Sequence, residues 1–266
     1  MTATTPNERS RAGTQSIERV VELLRTVASR GRNGMRLGDV ATATGLPTST
    51  CFRMLQRLEL EGLLERHPVT RKYFLGPLLH ELGMLAYPRV QLAAHCEPVL
   101  AELAHETQDT VYLSERRGLE AVCTARALGD YPIKALTLDV GIRRPLGVGA
   151  GGLAILCQLP PEEAQDVIDA NAWRYAKQSS LDAAQVMAAV AEGRARGYAF
   201  LDSPVFAGTA AVGVALPGPR PMAALSVAAI SSRLDEARRA EVGAALQRQA
   251  RRLARLLAAA EPDPAR

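Results

Sequence analysis

The chain has 266 residues, 47% of them hydrophobic and 23% charged, which excludes a disordered or fibrous protein and leaves length for two domains. No apolar run reaches the roughly 20 residues of a membrane span, and the opening MTATTPNERSRAGTQ lacks the apolar core of a signal peptide, so a cytoplasmic protein with no membrane partner is expected. The net charge of +4 is unevenly spread: residues 1–77 hold 12 Lys and Arg against 7 Asp and Glu, residues 78–266 hold 20 against 21, and a basic excess in one segment points to a phosphate-bearing partner there.

Residues 1–14 read as a flexible polar arm. A helix is expected from Ser16 to Ser29, because Ile17, Val20, Val21, Leu24, Val27 and Ala28 recur at helical spacing. Residues 37–75 then give a short helix, a tight turn at Thr44-Gly45-Leu46, and a second helix opened by Pro47, which suits a first helical position because it has no amide hydrogen. From Pro47 to Glu61 successive side chains rotate by about 100°. Cys51, Leu55 and Leu58 therefore share one face, with Met54 at its border. Ser49, Arg53 and Gln56 fall opposite, with Thr50 and Arg57 at the flank.

A solvated amphipathic helix would show the same pattern. The next residues separate the readings. Leu64-Glu65-Arg66 and Lys72-Tyr73-Phe74-Leu75 read as two short strands around His67–Arg71, with Arg66, Arg71 and Lys72 near the tip. That order is a winged helix-turn-helix, which puts one helix into the major groove of double-stranded DNA. The candidate DNA contacts are Thr48, Ser49, Thr50, Arg53, Gln56 and Arg57 on the helix and Arg66, Arg71 and Lys72 on the wing. Arginine can read guanine, glutamine can read adenine, and hydroxyls and cations hold phosphates.

Residues 15–76 thus form the expected DNA-binding domain. A linker helix over 77–88 carries Leu78, Leu79, Leu82 and Leu85 as its stripe and stops at Tyr87-Pro88. The second domain, 89–262, opens with a helix to Thr107. Strands are expected at Thr110–Glu115, Glu120–Arg126 and Ile133–Asp139, then helices at Gly151–Gln158, Pro161–Asn171 and Leu181–Arg196. Strands at Tyr198–Leu201, Thr209–Leu216 and Met222–Ala229 precede a last helix, Leu234–Ala259, with Ser232 and Asp235 as a capping box. Strands and helices in this order make an α+β fold.

Cys51, Cys96, Cys123 and Cys157 are widely spaced and read as small buried residues, and the four histidines lack metal-ligand spacing. No metal, no cofactor and no catalytic residue is expected. Gly147, Gly149 and Gly152 do satisfy G-x-G-x-x-G, so a nucleotide-dependent oxidoreductase is one alternative. Its fingerprint needs a strand running straight into the first glycine within a β-α-β unit; Pro145 and the flanking pattern argue against both. Small residues before a helix can instead hold a carboxylate on the outward amides, or simply pack closely beneath a sheet.

These motifs together resemble the isocitrate lyase regulator (IclR) family of transcriptional regulators. The likeness runs through Ser16–Val20, Leu46–Thr50, Arg53–Leu55, Leu58–Leu63, Tyr73–Gly76 and Leu82-Gly83. It continues through Val140-Gly141, Pro145-Leu146, Gly197–Ala199 and Ala223–Val227, and covers residues 15–260. The resemblance implies an antiparallel, GAF-like sensor domain that binds a small effector, an organic acid by class, beside Gly149, Ala150, Gly151 and Gly152. It also implies an opposite wall from the segment holding Asp202 and Ala211. Many members carry histidine, threonine and lysine in the glycine turn and a thiol where this chain has Ala211, and Asp202 is displaced by about one position. The family forms homodimers and homotetramers, and paired recognition helices suit near-palindromic operators. A metabolite-binding protein with a vestigial helix-turn-helix is the remaining alternative.

Overall fold

The computed structural model describes residues 6–86, 92–202, 205–218 and 223–260. The chain divides into two compact units, Met1–Arg89 and Val90–Arg266.

The first unit runs α1 (Pro6–Ala28), α2 (Leu37–Thr44), α3 (Thr48–Leu60), β1 (Leu64–Arg66), β2 (Tyr73–Leu75) and α4 (Pro77–Ala86). Leu23 and Val27 of α1, Val40 of α2, and Cys51, Leu55 and Leu58 of α3 close on Leu64 and Tyr73 in one core. Periodicity at about 3.6 residues per turn is what brings these positions to a single side. The hairpin β1–β2 is antiparallel with Leu64 opposite Leu75. Met35 exchanges backbone hydrogen bonds of 3.0 and 2.7 Å with Tyr73, tying the hairpin to the segment before α2.

Two expectations change here. The helix begins at Pro6, so most of the segment read as a flexible arm is helical, while residues 1–5 lie outside the described part. Glu8, Arg9, Arg11 and Ala12 are good helix formers, and a helix nucleated by a packed half extends through such residues at little cost. Pro47 is the N-cap of α3 rather than its first turn: its ψ of 135° is extended, and its carbonyl accepts the Cys51 amide at 2.9 Å.

The second unit runs α5 (Leu92–Thr107), β3 (Thr110–Arg117), β4 (Glu120–Ala127), β5 (Arg143–Pro145), α6 (Ala150–Gln158), α7 (Pro161–Gln178), α8 (Ala183–Arg196), β6 (Ala199–Asp202), β7 (Thr209–Ala215), β8 (Ala223–Ile230) and α9 (Glu236–Ala260). Its six strands form one sheet in the order β5-β4-β3-β8-β7-β6, and neighbours are antiparallel throughout. Alternation along each strand sends Val111, Leu113, Val212, Leu225 and Val227 toward α5 and α9. The other face carries Tyr112, Ser114, Ser226 and Gly213 and is covered by α6, α7 and α8. Tyr112 lies opposite Ser226, and Ser226 opposite Gly213.

The strand expected at Ile133–Asp139 is not formed; the segment 128–142 has no regular structure. Its alternating side chains suggest a strand, but its carbonyls are taken by side chains rather than a ladder. Tyr112 donates to Ala135 at 2.9 Å, Arg126 to Leu138 at 3.3 Å and Arg144 to Thr137 at 2.6 Å. The capping box expected from Ser232 is also replaced: Asp235 caps α9, accepting the Arg238 amide at 2.8 Å. The break expected at Tyr87-Pro88 lies outside the described residues.

Candidate nucleic-acid interface and ligand cleft

In the first unit, α2 ends in a left-handed Gly45 with φ 66°, which turns the chain into α3. Cys51, Leu55 and Leu58 are buried, and burial raises the Cys51 thiol pKa, so it stays protonated. Thr48, Ser49, Arg53, Gln56 and Arg57 are exposed, with Thr50 half-buried. Arg53 and Gln56 have no hydrogen bond or ion pair among the described residues. Arg57 is ion-paired with Glu61 one turn on, which reduces its charge toward an external phosphate.

The wing tip is shaped locally. His67 Nδ1 accepts the amides of Val69 and Thr70 at 3.3 and 3.1 Å, and Arg71 adopts a left-handed φ of 59°. Arg71 is exposed. Lys72 Nζ donates to the Asn33 carbonyl at 2.9 Å, and Arg66 lies 5.2 Å from the centre of the Tyr73 ring. The structure therefore brings all nine candidate residues to α3 and the adjoining hairpin, but separates unengaged groups (Arg53, Gln56) from those already held (Arg57, Arg66, Lys72).

In the second unit the glycine turn lies against the open face of the sheet. Gly149, at φ 105°, is the N-cap of α6, a backbone no side-chain-bearing residue adopts readily. A Cβ at Gly213 would collide with the Ala150 carbonyl, so β7 must be bare there for α6 to reach the sheet. The result is a cleft over Tyr112, Ser114 and Ser226. Gly149, Ala150, Gly151, Gly152 and Ala211 all line it.

Asp202 does not. It is exposed at the end of β6 and accepts a hydrogen bond from Ser231 Oγ at 2.9 Å, a surface cap of the loop rather than a cleft wall. The sequence reading missed Tyr112, Ser114, Arg144 and Ser226. Arg144 comes from β5, the very residues read as an interruption before the glycines. They form a short strand after all, yet an edge strand antiparallel to β4, with Pro145 closing it. Among the described residues every strand pair is antiparallel, so no β-α-β unit surrounds the turn and the oxidoreductase reading loses its scaffold. Near the cleft, burial pushes the Cys123 thiol up to about 12, so it is no nucleophile at neutral pH.

A winged helix whose recognition face is free, joined in sequence to an α+β domain with a polar-floored cleft, defines a DNA-binding regulator. Residues 16–68 match the IclR helix-turn-helix domain and residues 84–255 the bacterial transcriptional regulator IclR C-terminal domain. The chain belongs to the IclR family of transcriptional regulators. It is 27% identical over 246 residues to the HTH-type transcriptional regulator XynR of Escherichia coli K12, covering 91% of this chain and 97% of that protein. The crystal structure of an IclR-type regulator from Alicyclobacillus acidocaldarius is similar with TM-score 0.72 and 24% identity, covering 91% and 98%. An IclR homolog from Microbacterium hydrocarbonoxydans, crystallised with 4-hydroxybenzoate, is similar with TM-score 0.71 and 22% identity, covering 92% and 100%. No helix among the described residues is long and apolar enough to cross a membrane.

Proposed function

We propose that this regulator reads an operator with the exposed face of α3 and answers to a small organic acid held in the cleft of its second unit. Arg53 and Gln56 are the base readers, Thr48, Ser49 and Thr50 hold phosphate at the helix N-terminus, and Arg71, Arg66 and Lys72 steady the wing on the backbone. Arg57 contributes less, because Glu61 already neutralises it. The observation that carries the DNA contacts is the unengaged, exposed Arg53–Gln56 face opposite a fully packed one.

The cleft reading is supported by its concave shape, its polar floor and the amides opening α6, and by 4-hydroxybenzoate in the Microbacterium relative. On this reading the chain works by binding alone, in the cytoplasm, as a dimer or dimer of dimers that places recognition helices on paired half-sites. Occupancy shifts operator affinity because the ligand binds one conformation of the protein better than another. Arg53→Ala is expected to weaken operator binding by roughly 1–3 kcal/mol and relax base preference at one position. A gel-shift titration checks it, and unchanged affinity with unchanged preference would remove Arg53 from the reading set.

A further inference from the structure

The cleft has one formal charge, Arg144, and no acidic residue among those lining it. One Arg144 N–H is donated to the Thr137 carbonyl at 2.6 Å, and the guanidinium lies 5.7 Å from the Phe206 ring centre. It forms no ion pair among the described residues. Burial lowers its pKa from the ordinary guanidinium value while nearby Tyr112 and Cys123 oppose the shift, the mark of a cation short of a counter-ion.

Ser114 and Ser226 form the floor and are only 4% and 6% exposed, yet neither hydroxyl has a hydrogen-bond partner among the described residues. Their oxygens open onto the cleft. Both point to one spot: a Cβ at Gly151 would stand 2.9 Å from Ser114 Oγ and 3.6 Å from Ser226 Oγ. That spot is the first turn of α6, where backbone amides also lack helical partners. Val148, Leu138, Leu201 and Ala211 supply apolar wall between.

We propose that the cleft selects a small acid with oxygen functions at both ends, its carboxylate paired with Arg144 and a hydroxyl or oxo oxygen received by Ser114, Ser226 and the amides of α6. This deepens, and rests on, the reading of the cleft as a ligand site. It also reverses the orientation implied by the glycine turn alone, which would put the carboxylate on the helix terminus. A partly desolvated guanidinium gains more from a full, bidentate carboxylate than from a neutral oxygen. Neutral oxygens suffice for two hydroxyls. Amines are excluded, since no lining carboxylate would receive them.

The test uses the full-length protein, thermal shift and calorimetry. The probes are 4-hydroxybenzoate and 3-hydroxypropionate, the matched acids benzoate and propionate, and the neutral 4-hydroxybenzamide and 3-hydroxypropionamide. At least one two-ended acid is expected to bind roughly tenfold tighter than its plain acid, with its amide weaker still. Arg144→Met should weaken that acid by roughly tenfold to a hundredfold, and Arg144→Lys should recover part of it. Ser114→Ala with Ser226→Ala should bring the two-ended acid down to the affinity of its plain partner. Ligand-free melting temperature identifies any variant that has lost its fold. Unchanged affinity in both Arg144 variants, or no acid binding at millimolar concentration, overturns the proposal. An amide binding as tightly as its acid also overturns it while leaving the cleft a ligand site. Binding that survives Ala211→Phe would instead remove the cleft reading itself.

Discussion

The face of α3 and the cleft beside α6 both begin at a helix N-terminus, and they are built in opposite ways. On α3, one stretch of thirteen residues supplies both the buried stripe and the outward Arg53 and Gln56. At α6 the helix is buried nearly all round, and its own contribution is absence: glycines and an alanine. The polar groups there come from β3, β5 and β8, spread along the chain from Ser114 to Ser226. A convex reading surface can be written locally, whereas a concave one is assembled by strand register.

That contrast can be broken from either side. Leu55→Ala, at a fully buried position of α3, should cost about 2–5 kcal/mol in the first unit and leave the second unaffected. Hydrogen exchange followed separately over the two units checks it; equal loss in both would show that they do not fold independently. Gly213→Ala should act the other way, costing roughly 1–3 kcal/mol in the second unit by pushing β7 from α6. The same exchange measurement would contradict this if residues 150–158 kept their protection. A smaller effect is expected from Arg71→Ala or Lys72→Ala, each lowering the salt slope of operator binding by about one unit while preserving base preference. Lys72, already held by Asn33, should give the smaller change of the two, and a wild-type slope in both would exclude the wing from the phosphate contacts. Asp202→Ala is expected to change stability by no more than about 0.5 kcal/mol and ligand affinity not at all. A calorimetric shift in affinity would return it to the site.

The sequence was readable where one period governs. Cys51, Leu55 and Leu58 bury, and Arg53 and Gln56 stay out, as a rotation of about 100° per residue requires. The five α-helices described in the second unit follow from the same rotation, and the wing strands and most sheet strands from a period of two. Ile133–Asp139 misled because alternation is necessary for a strand but does not supply a neighbouring ladder. The glycine turn and Ala211 were visible as small residues, and they do line the cleft. Ser114 and Ser226 gave no local signal: a serine on a strand means little until register sets it under a helix. Arg144 could have been suspected, since an arginine three residues before a small-residue turn is well placed to face whatever that turn holds. Asp202 was drawn in by likeness alone, and one position along a strand is enough to swap faces.

The segment 128–142 forms one lip of the cleft, and Tyr112, Arg126 and Arg144 hold it by the main-chain carbonyls of Ala135, Leu138 and Thr137, while Arg126 also pairs with the Asp139 carboxylate. Anchors on carbonyls are indifferent to the side chains at the positions they hold. Residues such as Ala135 and Leu138 can therefore be exchanged without loosening the sheet beneath. Sequence drift in this lip offers a route by which descendants of the same scaffold come to answer different chemical signals.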